Sequence, residues 1–299
     1  MNDNDVAATN VARRLWSVFE PVHAVTYFSP EARAAYEAAG LRGYWRGYFA
    51  GRSAAIGAVG PAPVTAAFFN FAPAMVARAL PHVWELAPPE RVLAARLEGA
   101  VAALQRLTAQ LPADSIAEAA ELATSAVDRL DPAGHVLGAA HAALPRPEEP
   151  VARLWWATTA LREHRGDGHF ATLTAAGVTG CEVLVWRASV DMDRQVLQPN
   201  RGWTDAQWDD ARERLVARGW LTDDGQPTQT GLAGFARIEE ATDRLAAQPW
   251  SRLGASAAQR LRELLYPLAV ACLDEMPEQT PIGPLRRLLA AQAEPQPAA

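Results

Sequence analysis

The sequence predicts a mainly α-helical chain made of two related halves, the second carrying a short β-hairpin before a long helix. Three observations predict it. Apolar residues recur at helical spacing along most of the 299 residues, with Ala frequent and β-branched residues scarce. Tripeptides of the first half reappear in order in the second, about 140 residues on. Asp224-Gly225, a strong hairpin signal, separates two short extended runs.

Residues 1–10 read as frayed. A helical pattern covers 11–27, and Ser29-Pro30 punctuates it, Ser as a cap and Pro as a first-turn residue. A helix over 30–39 stops at Gly40. An aromatic-rich helix fits 43–56, residues 57–63 read as a loop, and helices fit 64–80 and 89–110. Asp114-Ser115 opens another, to about 130. The stretch 131–150 holds Pro, Gly and small residues and closes on PRPEEP, the composition of a linker. It divides an N-terminal half, 11–130, from a C-terminal half, 151–285, and residues 286–299 read as a flexible tail. The second half opens with a helix over 151–163 and a polar turn at 165–168 (RGDG). Helices fit 169–176 and 179–190, a loop passes Pro199 and Asn200, and Thr204 caps a helix over 205–219. The hairpin segment 220–231 and a helix over 231–246 complete the order helix, helix, helix, hairpin, helix. That is the order of a winged helix, a helix-turn-helix variant.

The repeat supplies the rest of the architecture. Val11-Ala12-Arg13 matches Val151-Ala152-Arg153, and Ala38-Ala39-Gly40 matches Ala175-Ala176-Gly177. Val76-Ala77-Arg78 matches Val216-Ala217-Arg218, and Arg96-Leu97-Glu98 matches Arg237-Ile238-Glu239. On this reading the chain is internally duplicated, with a degenerate winged-helix-like half followed by a more regular one. The halves are expected to pack about a pseudo-twofold axis, with a pocket in the cleft between them.

Charge argues against a strong grip on DNA. The net charge is −6, whereas phosphate neutralisation supplies most of a nucleic-acid binder's affinity. The helix that would enter the groove carries Asp205, Asp209 and Asp210 at its front, and the hairpin tip carries Asp223 and Asp224. Arg187, Arg194 and Arg201, in and around the preceding loop, are the residues on which a DNA-binding reading would rest. Cys181 and Cys272 stand far apart in apolar stretches and read as buried thiols. No signal-peptide pattern and no membrane-length apolar run is present, so the expected location is the cytoplasm and no membrane partner is expected. Ten Trp suit either a pocket wall or packing, including the interface of a homodimer.

The segments FEPVHAVTYF (19–28), GYFAGRSAAIG (47–57), FFNFAP (68–73), LREHRGDGHFA (161–171), GWTDAQW (202–208) and IEEATDRLAAQPWSRLG (238–254) together resemble a largely uncharacterised actinobacterial helix-turn-helix family, sometimes labelled SalK-like. The resemblance spans about residues 11–285 and implies a helix-turn-helix or winged-helix fold without fixing an activity.

Three constellations carry candidate chemistry. In REHRGDGH, the residues Arg162, Glu163, His164, Arg165, Asp167 and His169 crowd a helix end and its turn; Asp167 could orient either His for acid–base work. A solvated helix terminus is the plainer reading. Glu20 and His23 stand three apart, the spacing of carboxylate-bridged metal sites, with Tyr27 one turn on. No second such set accompanies them, so a buried Glu–His hydrogen bond competes with a metal, and metal and cofactor stay undetermined. Tyr44, Tyr48 and Arg52 share one helix face, and with Phe69 and Asn70 they could hold an anionic or planar ligand or form an aromatic core. The expected partner is therefore a small-molecule ligand in the inter-half cleft. The protein would bind it, or act on it as an enzyme of specialised metabolism with His23, His164 or His169 as acid or base. The alternative is a transcriptional regulator using the same pocket for an effector.

Overall fold

The computed structural model describes residues 3–293, and among these the chain is helical with no strand. The first half holds α1 (Asp3–Phe28), α2 (Pro30–Ala38), α3 (Tyr44–Ser53), α4 (Pro61–Phe68), α5 (Pro73–Ala77), α6 (Val83–Leu86), α7 (Pro89–Leu107) and α8 (Ala113–Val127). Then come α9 (Val136–Ala142), α10 (Pro150–Ala175), α11 (Gly180–Val190), α12 (Arg194–Leu197), α13 (Asp205–Ala217), α14 (Gln229–Ala246), α15 (Gln248–Leu253), α16 (Ala255–Cys272) and α17 (Leu285–Ala293). The predicted caps form. The Ser29 hydroxyl accepts from the Ala32 amide, and Thr204 and Gln207 close a reciprocal capping box on α13.

The structure departs from the expected elements at several places, each for a physical reason. α1 starts at Asp3, before the expected position 11. The single helix expected over 64–80 is broken: Pro73 lacks an amide hydrogen and pushes Ala72 into extended backbone, so α4 ends at Phe68 and α5 restarts at Pro73. The RGDG turn is not a turn; α10 runs through it without interruption. Glycine weakens a helix interior by only about 1 kcal/mol, which the packing of a 26-residue helix outweighs. Gly168 has its own use, since a Cβ there would stand 3.2 Å from the Leu245 side chain on α14. Within 131–150, α9 packs on α10 so closely that a Cβ on Gly138 would lie 2.6 Å from the His164 Cα. The hairpin shrinks to one antiparallel bridge, Leu221 with Pro227, plus a Thr222 amide bond to the Gln226 carbonyl at 2.9 Å. A second bond, from the Thr228 amide to the Trp220 carbonyl at 3.0 Å, closes the bridge, and it goes no further because the Trp220 amide is bonded to the Leu215 carbonyl at the end of α13. Of the stretch expected as a tail, 286–293 is helical and buries Leu289 in the core; residues 294–299 lie outside the described residues.

Three apolar cores organise the chain. A central one draws α1, α7, α8, α10 and α14 to α17 from both halves around Leu15, Phe19, Trp155 and Trp250. A second sits among α2 to α7, around Phe49, Phe68 and Phe71. A third lies under α11, α13 and α14, around Trp186, Trp208 and Leu215. No helix among the described residues is long and apolar enough to cross a membrane.

Candidate functional site

Where the three cores meet, a cavity of about 790 Å³ opens. Its longest wall is one face of α10: Arg162, Arg165, Gly166, His169, Phe170 and Leu173 follow one another at three- and four-residue steps. Continuing α10 through the RGDG segment is what aligns these side chains; a turn there would have scattered them. α1 contributes Trp16, Glu20 and Tyr27, and α3 contributes Tyr44, Tyr48 and Arg52. α11 and α14 add Trp186, Arg187 and Glu239, and the segment 277–288 leads along the rim into α17. Aromatic rings meet edge-on and offset across this wall, with Tyr48 and Phe71 centroids 5.5 Å apart and Tyr27 and Tyr48 5.2 Å apart.

Arginines dominate the polar part, and most are matched. Arg52 donates from Nε and Nη2 to the two oxygens of Glu163 at 2.9 and 2.8 Å, a bidentate pair with Glu163 fully buried. Arg162 donates to Glu163 at 2.8 Å and reaches Glu20 at 3.4 Å. Burial alone would raise the Glu163 pKa, but Arg52 and Arg162 override it and hold the carboxyl well below its usual range. Arg13 pairs with Glu239 at 2.6 Å and Asp243 at 2.8 Å, and Arg165 donates to Asp243 at 2.8 Å while its guanidinium lies 4.5 Å from the Trp16 ring centre. Arg187 pairs with Asp191 at 3.3 Å and donates to the Pro281 carbonyl. Five arginines thus face five carboxylates.

Arg201 breaks the pattern. It is 9 % exposed, its guanidinium lies 4.4 Å over Phe71, and no carboxylate pairs with it among the described residues. It donates from Nε to Asn70 Oδ1 at 3.1 Å and from Nη1 to the Asn200 carbonyl at 2.9 Å. Burial lowers its pKa to about 10. Asn70 is presented by strained backbone: Phe69 has φ +58° and ψ −57°, and the Asn70 amide bonds to the Phe68 carbonyl at 2.7 Å, a γ-turn of the rare left-handed kind. Two contacts hold the turn. The Trp203 indole donates to the Asn70 carbonyl at 2.9 Å, and Gly180 presses against the Phe69 carbonyl, where a Cβ would sit 2.2 Å from the oxygen.

The structure brings Glu20, Tyr27, Tyr44, Tyr48, Arg52, Asn70, Arg162, Arg165 and His169 to this cavity and leaves four other predicted residues off its wall. His23 is fully buried behind it, bonded to Tyr27 at 2.9 Å and Thr159 at 2.9 Å, and burial lowers its pKa well below the usual range. The expected Glu20–His23 bond is absent, because Glu20 turns instead to the Trp16 indole at 2.9 Å and to Arg162. No group of three potential metal ligands occurs among the described residues. His164 points away, its ring stacked on His135 at 3.7 Å. Asp167 orients neither His; it accepts from the Gly138 amide at 2.9 Å at the start of α9, and burial raises its pKa to about 7. On a continuous helix Asp167 and His169 are two residues apart and diverge. Phe69 stacks on Phe170 at 5.2 Å outside the lining. His169 does face the cavity, bonded to Thr242 at 2.9 Å, and burial lowers its pKa to about 4. Sequence reasoning missed Arg13, Glu239 and Asp243 as site residues. Arg13 stood out only as part of a repeat, and Glu239 and Asp243 form an i, i+4 acidic pair on α14 whose partners lie far off in sequence.

The outer face of α13 is acidic. Asp205, Asp209, Asp210 and Glu213 are exposed there. Arg214, and Arg218 just past the helix, are exposed as well but bond away from it: Arg214 donates to Glu182 on α11 at 2.9 Å, and Arg218 donates to the Gly177 carbonyl at 2.6 Å. Arg212 donates to the Asp223 carbonyl at 2.9 Å. The three arginines of the DNA-binding reading do not form a basic ridge, since Arg187 and Arg201 line the cavity and Arg194 pairs with Asp205 at 2.7 Å.

Neither a curated protein nor a solved structure matches the chain. The sequence pattern described as a helix-turn-helix family matches residues 12–278, nearly the whole of the helical assembly just described, and the chain belongs to that helix-turn-helix family.

Proposed function

We propose that this protein binds a small molecule in the cavity between its two halves, on a duplicated winged-helix scaffold that does not grip DNA strongly. The observation that carries the proposal is a contrast of surfaces. The cavity joins an aromatic wall to an inward-facing arginine network, whereas the exposed face of α13 offers carboxylates. Pockets of about 300–1,000 Å³ with apolar walls and a few placed polar groups are where small ligands bind. Carboxylates facing a polyanion oppose binding by direct repulsion. Duplication has support in the packing: α1 and α10 are each 26 residues long, and each packs against both α7 and α14. The proposal needs no covalent step. Should the site act on its ligand, His169 is the candidate acid–base residue on the wall.

A regulator with the cavity as effector site is the second reading, favoured by the family to which the chain belongs. Fluorescence anisotropy with random duplex DNA at low salt separates the two. The proposal expects no binding at micromolar protein; micromolar affinity falling steeply with added salt would overturn it in favour of the regulator.

A further inference from the structure

We infer that the cavity takes a planar aromatic monocarboxylate, with its carboxylate held by Arg201 and its ring against the wall of Tyr44, Tyr48 and Phe71. The inference rests on the small-molecule reading above and adds the chemistry of the ligand. Its basis is the unmatched charge. Each other buried or half-buried arginine of the wall has a carboxylate partner, and Arg287, at the rim, is exposed to water. Arg96 is also buried without a carboxylate, but it is enclosed between His141 and Trp155 and does not reach the cavity. A cation taken out of water without a counter-charge is costly. A structure that keeps one on a cavity wall gains by admitting an anion.

The geometry defines what that anion looks like. Asn70 and the Asn200 carbonyl fix the guanidinium through Nε and one Nη1 hydrogen. Nη2 has no partner among the described residues, so the end of the guanidinium fork remains for a planar, two-oxygen group. The strained turn at Phe69 sets the Phe69 ring on Phe170 in the third core and, one residue on, presents Asn70 to Arg201. One unmatched cation calls for one negative charge, so a carboxylate fits better than a phosphate monoester, which carries nearly two at neutral pH. The stacked and tilted rings adjoining Arg201 select a flat apolar body.

The test is calorimetric titration of 2-naphthoate, 2-naphthamide and 2-naphthyl phosphate into the full chain at pH 7.5. The wild type is expected to bind the acid at least tenfold more tightly than the amide. Arg201→Met should bind the amide as before and lose the preference for the acid. Arg201→Lys, which keeps the charge without the fork, should keep part of that preference. Equal affinity for acid and amide in the wild type, or an undiminished preference in Arg201→Met, overturns the inference and leaves the cavity reading standing. A phosphate bound more tightly than the carboxylate overturns the assignment to a monoanion. Binding of none of the three at millimolar concentration overturns the cavity reading and the inference with it.

Discussion

Glu163→Gln should destabilise the protein more than any other single change of charge in or behind the cavity wall. The carboxylate is fully buried and accepts three charge-assisted bonds at 2.8–2.9 Å, two from Arg52 and one from Arg162. The amide keeps the shape and loses the charge. Two guanidiniums are then left with Glu20, 3.4 Å from Arg162, as their one carboxylate, and Arg52 keeps only the Tyr48 hydroxyl at 3.2 Å. Removing one partner of a buried ion pair costs about 3–5 kcal/mol, because the surviving charge is stranded in a poorly polarisable medium. Set against a typical total stability of about 5–15 kcal/mol, that is about a fifth of the whole or more. Urea unfolding followed by Trp fluorescence reads it as a lower midpoint at unchanged slope. The exposed pair Arg260–Glu118 supplies the control: Glu118→Gln should leave the midpoint unmoved. The apolar replacement Arg52→Met with Glu163→Leu should recover much of the loss, since it strands only Arg162. A loss below about 1 kcal/mol for Glu163→Gln would refute the reasoning, showing that water or rearrangement solvates the arginines.

Other outcomes follow from the same structure. Stability should fall as pH drops from about 6.5 toward 4. His23, His141, His164 and His169 have folded pKa values pushed below normal by burial, so the unfolded chain takes up protons there that the folded one refuses. Asp167 acts in the opposite sense, holding a proton up to about 7 that the unfolded chain releases near 4. Over these five groups, four imidazoles against one carboxyl, the net uptake on unfolding near pH 5 is about three protons, and urea midpoints at pH 5, 6 and 7 test its sign; a flat profile contradicts the buried neutral imidazoles. Gly138→Ala should destabilise by about 1–3 kcal/mol, because its Cβ would meet α10 backbone at 2.6 Å, and a thermal melt reads the loss. Gly180→Ala, whose Cβ would lie 2.2 Å from the Phe69 carbonyl oxygen, should disturb the Phe69 turn and weaken 2-naphthoate binding severalfold, read by calorimetry on a variant that a thermal melt shows to be folded. Reversing Asp209 and Asp210 to Arg should create salt-sensitive duplex binding that the wild type lacks, seen by anisotropy.

The sequence was most legible where structure is local. Ser29, Gly40 and Thr204 punctuate helices through their own side chains or backbone freedom, and each does so where expected. The Tyr44, Tyr48 and Arg52 stripe needs only helical periodicity, and it faces the cavity. The errors share a cause. RGDG reads as a turn from composition alone. In the fold, the cost of two glycines within α10 is offset by the packing of the whole helix on α9 and α14, with Gly168 directly against Leu245, which no local signal announces. The same holds for the charges. Arg52 finds Glu163 across 111 positions, and Arg13 finds Asp243 across 230. The arginines that looked available for DNA, Arg187 and Arg201, turn inward for reasons that lie in the other half of the chain and in the segment 277–288.

The most direct test of a cavity-centred account is the affinity of 2-naphthoate for Gly166→Leu. Gly166 faces the cavity from the middle of α10, and a Cβ there meets nothing nearer than Arg162 Nη1 at 3.7 Å, so the leucine can enter without strain and narrow the cavity beside the arginine network. The account predicts a melting temperature at or above that of the wild type, since a helix-interior glycine is replaced, together with at least a tenfold loss of affinity. Unchanged affinity in a folded variant would place the ligand elsewhere and contradict the account.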